Sequence, residues 1–172
     1  MVVKKSVEYC FIGSDKIQKL FGVGPRGAAI SLLLLVLIAW VDRVVGHPAI
    51  MVNEVPMKTA GVILVVIGLG LHFWAFFTLR NWWVNSRLCT LGPFKLFRHP
   101  MYAAWITFIC SGVILYLNSW TYILWLVLLH PIWHRLVIKE ETAMLDNFGD
   151  EYREYAMRTG RFIPRMLNRR RK

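Results

Sequence analysis

The chain has 172 residues, 56% of them hydrophobic, and a formal net charge of +11 from 21 Lys and Arg against 10 Asp and Glu. A mean hydropathy of +0.46 is more than a soluble domain of this length can bury, so the excess reads as membrane spans. The positive charge comes with no nucleic-acid reader motif. It is assigned to loops facing anionic headgroups, and no nucleic-acid partner is expected.

Taken in chain order, the N-terminal stretch does not read as a cleavable signal. Lys4 and Lys5 are followed by Glu8, Asp15, Lys16 and Lys19 instead of an apolar core. Phe11, Ile12, Ile17, Leu20 and Phe21 give residues 6–21 a loose apolar face, which predicts an interfacial helix. The first apolar block, residues 28–41 and extendable to 45, is short for a span, with Arg26, Asp42 and Arg43 at its ends. The second block, residues 59–79, is the cleanest, and Trp82-Trp83 beyond it suits an interfacial anchor. The third covers residues 101–117. The fourth, residues 120–138, has Trp120 and Trp133 toward its ends and His130, Pro131, His134 and Arg135 in its second half. The link between these two predicts a tight helical hairpin. Beyond Glu141, the residues Leu145, Phe148, Tyr152 and Tyr155 recur at helical spacing, as in an amphipathic helix on a membrane surface.

The expected fold class is therefore all-α: a polytopic membrane protein with four transmembrane helices and a C-terminal cytoplasmic amphipathic helix. It forms a single membrane domain over residues 1–172, with two transmembrane helices in 1–89, a helical hairpin in 90–165 and a basic tail in 166–172. Four spans with both termini inside leave only Arg43 and Lys58, of all the Lys and Arg, on the outer side. That satisfies the positive-inside rule at every loop and predicts an integral cytoplasmic or inner-membrane protein. Cys10, Cys89 and Cys110 share no metal-ligand spacing and read as reduced structural thiols.

Polar chemistry gathers at the cytoplasmic mouth of the hairpin. Pro100 suits the first turn of a helix, and residues near it would present free backbone N–H groups beside Arg98 and His99, a site suited to a carboxylate or phosphate. Folding the chain at residues 118–119 brings residue 101 opposite roughly residue 136, which carries Glu140 and Glu141 to the level of Arg98 and His99. A ligand bearing both an anion and a cation could be held between them. A structural ion pair closing the hairpin is the other reading of the same residues. His130 and His134, four residues apart, lack an obvious third ligand, so no metal is expected and wall-lining or capping roles are assigned.

Gly92-Pro93-Phe94 with Arg98-His99-Pro100-Met101-Tyr102 resembles the first half of the signature of the isoprenylcysteine carboxyl methyltransferase family, relatives of the phospholipid N-methyltransferases. Glu140-Glu141, Leu145, Phe148-Gly149, Tyr152, Tyr155 and Arg161-Phe162-Ile163-Pro164 resemble the second half. The likeness covers residues 90–165, and the first two spans match only in kind. It implies S-adenosylmethionine bound within the membrane domain without a Rossmann fold, and the chain has no GxGxxG after a strand. By the resemblance, Arg98, His99, Pro100, Tyr102, Glu140 and Glu141 surround the cofactor, with Gly92 and Pro93 shaping the approaching loop and Glu141, Arg98 and His99 catalytic. The implied partner is a lipophilic small molecule or lipid-modified substrate, such as a prenylcysteine carboxylate or a lipid, alongside membrane lipids. The family enzyme of eukaryotes has more spans before this region, which leaves the acceptor half less supported. A membrane NADPH-dependent reductase of the sterol reductase type is the alternative. A non-catalytic scaffold fits less well, because both polar motifs are intact.

Overall fold

The computed structural model describes residues 22–82 and 88–165. It is 79% helical, with no strand among the described residues. Among the described residues, four helices are long and apolar enough to cross a membrane: α1, Gly24–Val44; α2, Glu54–Trp82; α3, Pro100–Leu117; and α4, Thr121–Arg158. The interfacial helix expected over residues 6–21, together with Cys10, Trp83 and the basic tail 166–172, lies outside the described residues.

The helices extend past the apolar blocks because polar ends can still be helical. Pro25 sits in the first turn of α1, where a missing N–H costs nothing. α1 buries Gly27, Ser31, Ile38 and Asp42, a single stripe that meets Tyr122, Trp125, Leu129, Trp133 and Val137 of α4. Ser31 fixes the register. Its carbonyl accepts from Trp125 Nε1 at 2.9 Å and its hydroxyl from Trp133 Nε1 at 3.1 Å. Gly27 lets Trp133 approach, since a Cβ there would lie 2.5 Å from the indole.

α2 touches the bundle along a stripe only one small residue wide. Gly61, Gly68 and Ala75, seven apart, are its buried positions, while Val62, Ile63, Val66, Phe73 and Phe77 face outward. A Cβ at Gly61 would lie 2.6 Å from the Gly112 carbonyl oxygen of α3, and one at Gly68 would lie 3.2 Å from that of Ala104. Small residues at such spacing let membrane helices approach backbone to backbone, where water offers no hydrophobic drive. Within α3, Ala104–Cys110 winds as a π-helix, the wider turn that is frequent near functional sites.

At the far end, Asn118 takes a left-handed conformation (φ 51°) between α3 and α4. Its side-chain amide pairs with the backbone of Met51, at 3.1 Å to the N–H and 2.8 Å to the carbonyl. Ser119 donates to buried Asp42 at 2.5 Å, so the hairpin bend is pinned to α1 as well as to the α1–α2 loop.

α4 spans 38 residues but is broken at Gly149, and the part before the break runs about 42 Å at 1.5 Å per residue, longer than the hydrocarbon thickness. Its end must therefore leave the bilayer. Glu140 lies about 30 Å along the helix from Thr121, at the membrane boundary opposite the bend. The expected C-terminal helix is the continuation of α4, turned at Gly149 (φ 53°, ψ −124°). It comes back over the site mouth, where Tyr155 donates to the carbonyls of Phe94 (2.8 Å) and Phe97 (3.2 Å).

Candidate functional site

Pro100 forces its predecessor toward an extended conformation, and His99 adopts φ −125°, ψ 69° at the start of α3. Residues 160–161 run beside this turn. Arg98 N donates to the Gly160 carbonyl at 2.7 Å and His99 N to that of Arg161 at 3.3 Å. These two amides, next to the helix start where free N–H groups were expected, are thus committed to the C-terminal segment. One turn on, the His99 and Tyr102 rings stack in parallel, with centroids 5.5 Å apart.

The fold-back expected of the hairpin is met. Arg98 Nε lies 3.2 Å and His99 Nε2 3.4 Å from Glu141 Oε1, and His99 Nδ1 lies 3.6 Å from Glu140 Oε2. Tyr102 donates to Glu140 Oε1 at 3.0 Å. These side chains come from the start of α3, the two residues before it and α4, and are mostly buried, Glu141 being 14% exposed and His99 10%. Gly92 packs instead on Thr78 and Trp74 of α2. Pro93 is buried in the turn Gly92–Lys95. Nearby Cys89 is a free, buried thiol whose pKa burial pushes up, as fits a structural cysteine.

Four contributors escaped the sequence reading. Arg161 grips Glu141 through a two-pronged contact, Nε to Oε1 at 3.0 Å and Nη2 to Oε2. Its Nη1 also meets His134 Nδ1 at 2.7 Å. A guanidinium only donates, so Nδ1 accepts and His134 carries its proton on Nε2. Phe162 packs edge-on to His134, with centroids 4.9 Å apart. Trp133 lies 5.0 Å from Tyr102; expected at a membrane boundary, it is instead buried, with its indole N–H on Ser31, and forms part of the site wall. The fourth is a backbone group, Val23 N–H, which donates to Glu140 Oε1 at 2.7 Å. Arg161 and Phe162 stand in the C-terminal motif, which was the available signal. His130 stacks on His134 at 5.5 Å, in keeping with a wall-lining role.

The arrangement is two cations, two carboxylates and a run of aromatic rings at one end of a helical hairpin. Three buried polar atoms, Arg98 Nε, His99 Nε2 and Tyr152 Oη, have no partner in hydrogen-bonding geometry. The fold gathers this mixed-charge cluster at one end of a bundle of apolar helices. Residues 57–151 match the model of the phospholipid methyltransferase family, and the chain belongs to that family, which includes the isoprenylcysteine carboxyl methyltransferases. It is thus a membrane methyltransferase in its general class. No curated protein matches the chain at a significant level. The family match ends before Arg161 and begins after Val23.

Proposed function

We propose that the chain methylates a lipophilic acceptor, a prenylcysteine-like carboxylate or a lipid, with S-adenosylmethionine as donor, at the cytoplasmic face of the membrane. The reading rests on the Arg98–His99–Glu141–Arg161 cluster. Buried donors without aligned partners are costly, and Arg98 Nε and His99 Nε2 are two such atoms beside a carboxylate. The set fits an amino-acid headgroup, which brings a carboxylate for the Arg98 guanidinium and an ammonium for the Glu141 carboxylate. Tyr102, Trp133 and Phe162 add aromatic faces suited to an adenine or a sulfonium. When bound, S-adenosylmethionine supplies an electrophilic methyl group.

The two arginines are not equivalent. Arg161 is aligned on both Glu141 oxygens, whereas Arg98 Nε is close but misaligned. Arg98 is anchored by Nη1, which donates to the Ala156 carbonyl at 3.1 Å, and keeps Nε for a ligand carboxylate, while Arg161 holds Glu141 in place for the ammonium. A carboxylate acceptor is already ionised and needs no base. For an amine or thiol the base falls to His99, because the Glu141 oxygens are engaged by Arg161. Water is kept out by the C-terminal segment, with Phe162 buried and its carbonyl accepting from Thr107 at 3.3 Å. Membership of the methyltransferase family gives the NADPH-dependent reductase reading no support. The same proposal assigns residues 90–165 as the motif region of one membrane domain, with both termini inside.

Titration of S-adenosylhomocysteine into detergent-solubilised protein tests it. The wild type is expected to bind, and Glu141→Gln to weaken binding by about tenfold or more, since it strands two guanidiniums. No wild-type binding at millimolar ligand would refute the proposal.

A further inference from the structure

We propose that the adjacent carboxylates divide their work: Glu141 serves the ligand, and Glu140 is a positioning residue that ties the start of α1 to the site. The ligand assignment of Glu141 rests on the methyltransferase reading, whereas the α1 contact stands on geometry alone. Successive helical residues point about 100° apart, so the two side chains diverge and share only His99, each meeting a different ring nitrogen. Glu141 turns to Arg98 and Arg161. Glu140 turns to α1, where Oε1 accepts from Val23 N at 2.7 Å and from Tyr102 Oη at 3.0 Å.

Val23 is the N-cap of α1, and no side chain of α1 caps that end. An anion there satisfies a backbone donor and meets the positive end of the helix dipole. The chain is shaped for the contact. Gly22 has φ +53°, and a Cβ on it would collide with Glu140 and lie 2.8 Å from Tyr102 Oη. A Cβ on Gly24 would lie 3.4 Å from the Tyr102 ring. One carboxylate thus links α1 to Tyr102, whose ring stacks on His99, and a shift of α1 is transmitted to the ligand site.

The test uses full-length protein in detergent, with hydrogen exchange read at the Val23 amide and S-adenosylhomocysteine affinity read in parallel. Glu140→Ala should speed Val23 exchange by about tenfold or more and weaken binding by about three- to tenfold. Glu140→Gln keeps an acceptor oxygen, so it should restore protection and lose less than about threefold in affinity. Glu141→Gln should leave Val23 protected while losing about tenfold or more in affinity. Val23→Pro removes the donor at a φ of −81° that proline tolerates, and should reproduce the binding loss of Glu140→Ala with both carboxylates present. The proposal is overturned if Glu140→Gln binds as poorly as Glu141→Gln with Val23 still protected, or if Glu140→Ala leaves Val23 exchange unchanged. Should Glu140→Ala not fold, wild-type affinity in Val23→Pro overturns it. A wild type that binds no ligand sinks the methyltransferase reading, and the exchange comparison still decides the role of Glu140.

Discussion

Replacing Arg161 with alanine removes three directional contacts at once: two to Glu141 and one to His134. Glu141, 14% exposed, would keep only the misaligned Arg98 Nε and His99. Stranding one member of a buried ion pair costs about 3–5 kcal/mol. Arg161 itself is 23% exposed, so water can replace some of what is lost, and about 2 kcal/mol is the reasoned figure. If Glu141 must be held still to meet the ligand, that cost falls on binding, as about a 30-fold rise in the Kd for S-adenosylhomocysteine. Arg161→Lys keeps the charge but not the planar fork and should lie between, at about fivefold. Isothermal titration in detergent reads the affinities, and the thermal transition shows whether each variant is folded. An Arg161→Ala protein that folds and binds within twofold of wild type would show that Glu141 needs no such support, and the division of roles between the two arginines would fail.

Two further outcomes follow from the helix packing and the charge pattern. Gly61→Ala places a methyl group 2.6 Å from the Gly112 carbonyl, against backbone that cannot yield; it should cost about 2 kcal/mol or more and lower the thermal transition. Gly70→Ala on the same helix meets nothing within 4 Å and should be neutral or slightly stabilising; equal effects at the two sites would refute the small-residue seam. For orientation, a membrane-impermeant thiol reagent added outside intact cells should label Val52→Cys, at a fully exposed position of the α1–α2 loop, in a background lacking the native cysteines. It should label Asp150→Cys, 89% exposed at the opposite end, only after permeabilisation; the reverse pattern would invert the proposed topology.

The spans were legible because hydrophobicity over about 20 residues is a bulk property that packing does not override. The meeting of Arg98 and His99 with Glu140 and Glu141 was legible for an equally simple reason: two helices joined by a tight turn rise at the same rate, so residues equidistant from the turn share a depth. Ser31 gave no such signal. One serine in an apolar block is ordinary, and only the indoles of Trp125 and Trp133 make it the register point of α1. Gly61, Gly68 and Ala75 do stand seven apart in the sequence, yet that spacing has meaning only beside Gly112 and the carbonyl of Ala104.

The site was half legible because the chain reverses direction at Gly149, which nothing in the apolar spacing of Leu145, Phe148, Tyr152 and Tyr155 reports. Read as a straight amphipathic helix, that segment would carry Arg161 away along the membrane surface. Turned at Gly149, it sets residue 160 beside Phe97 and 161 beside His99. This reversal has two consequences for the chemistry. It engages the amides of Arg98 and His99, just before the helix start, and it delivers a second guanidinium to Glu141. In the proposed site, anion recognition then rests on side chains, Arg98 first among them. Substitution can therefore test it residue by residue, in a way that a site built from backbone amides would not permit.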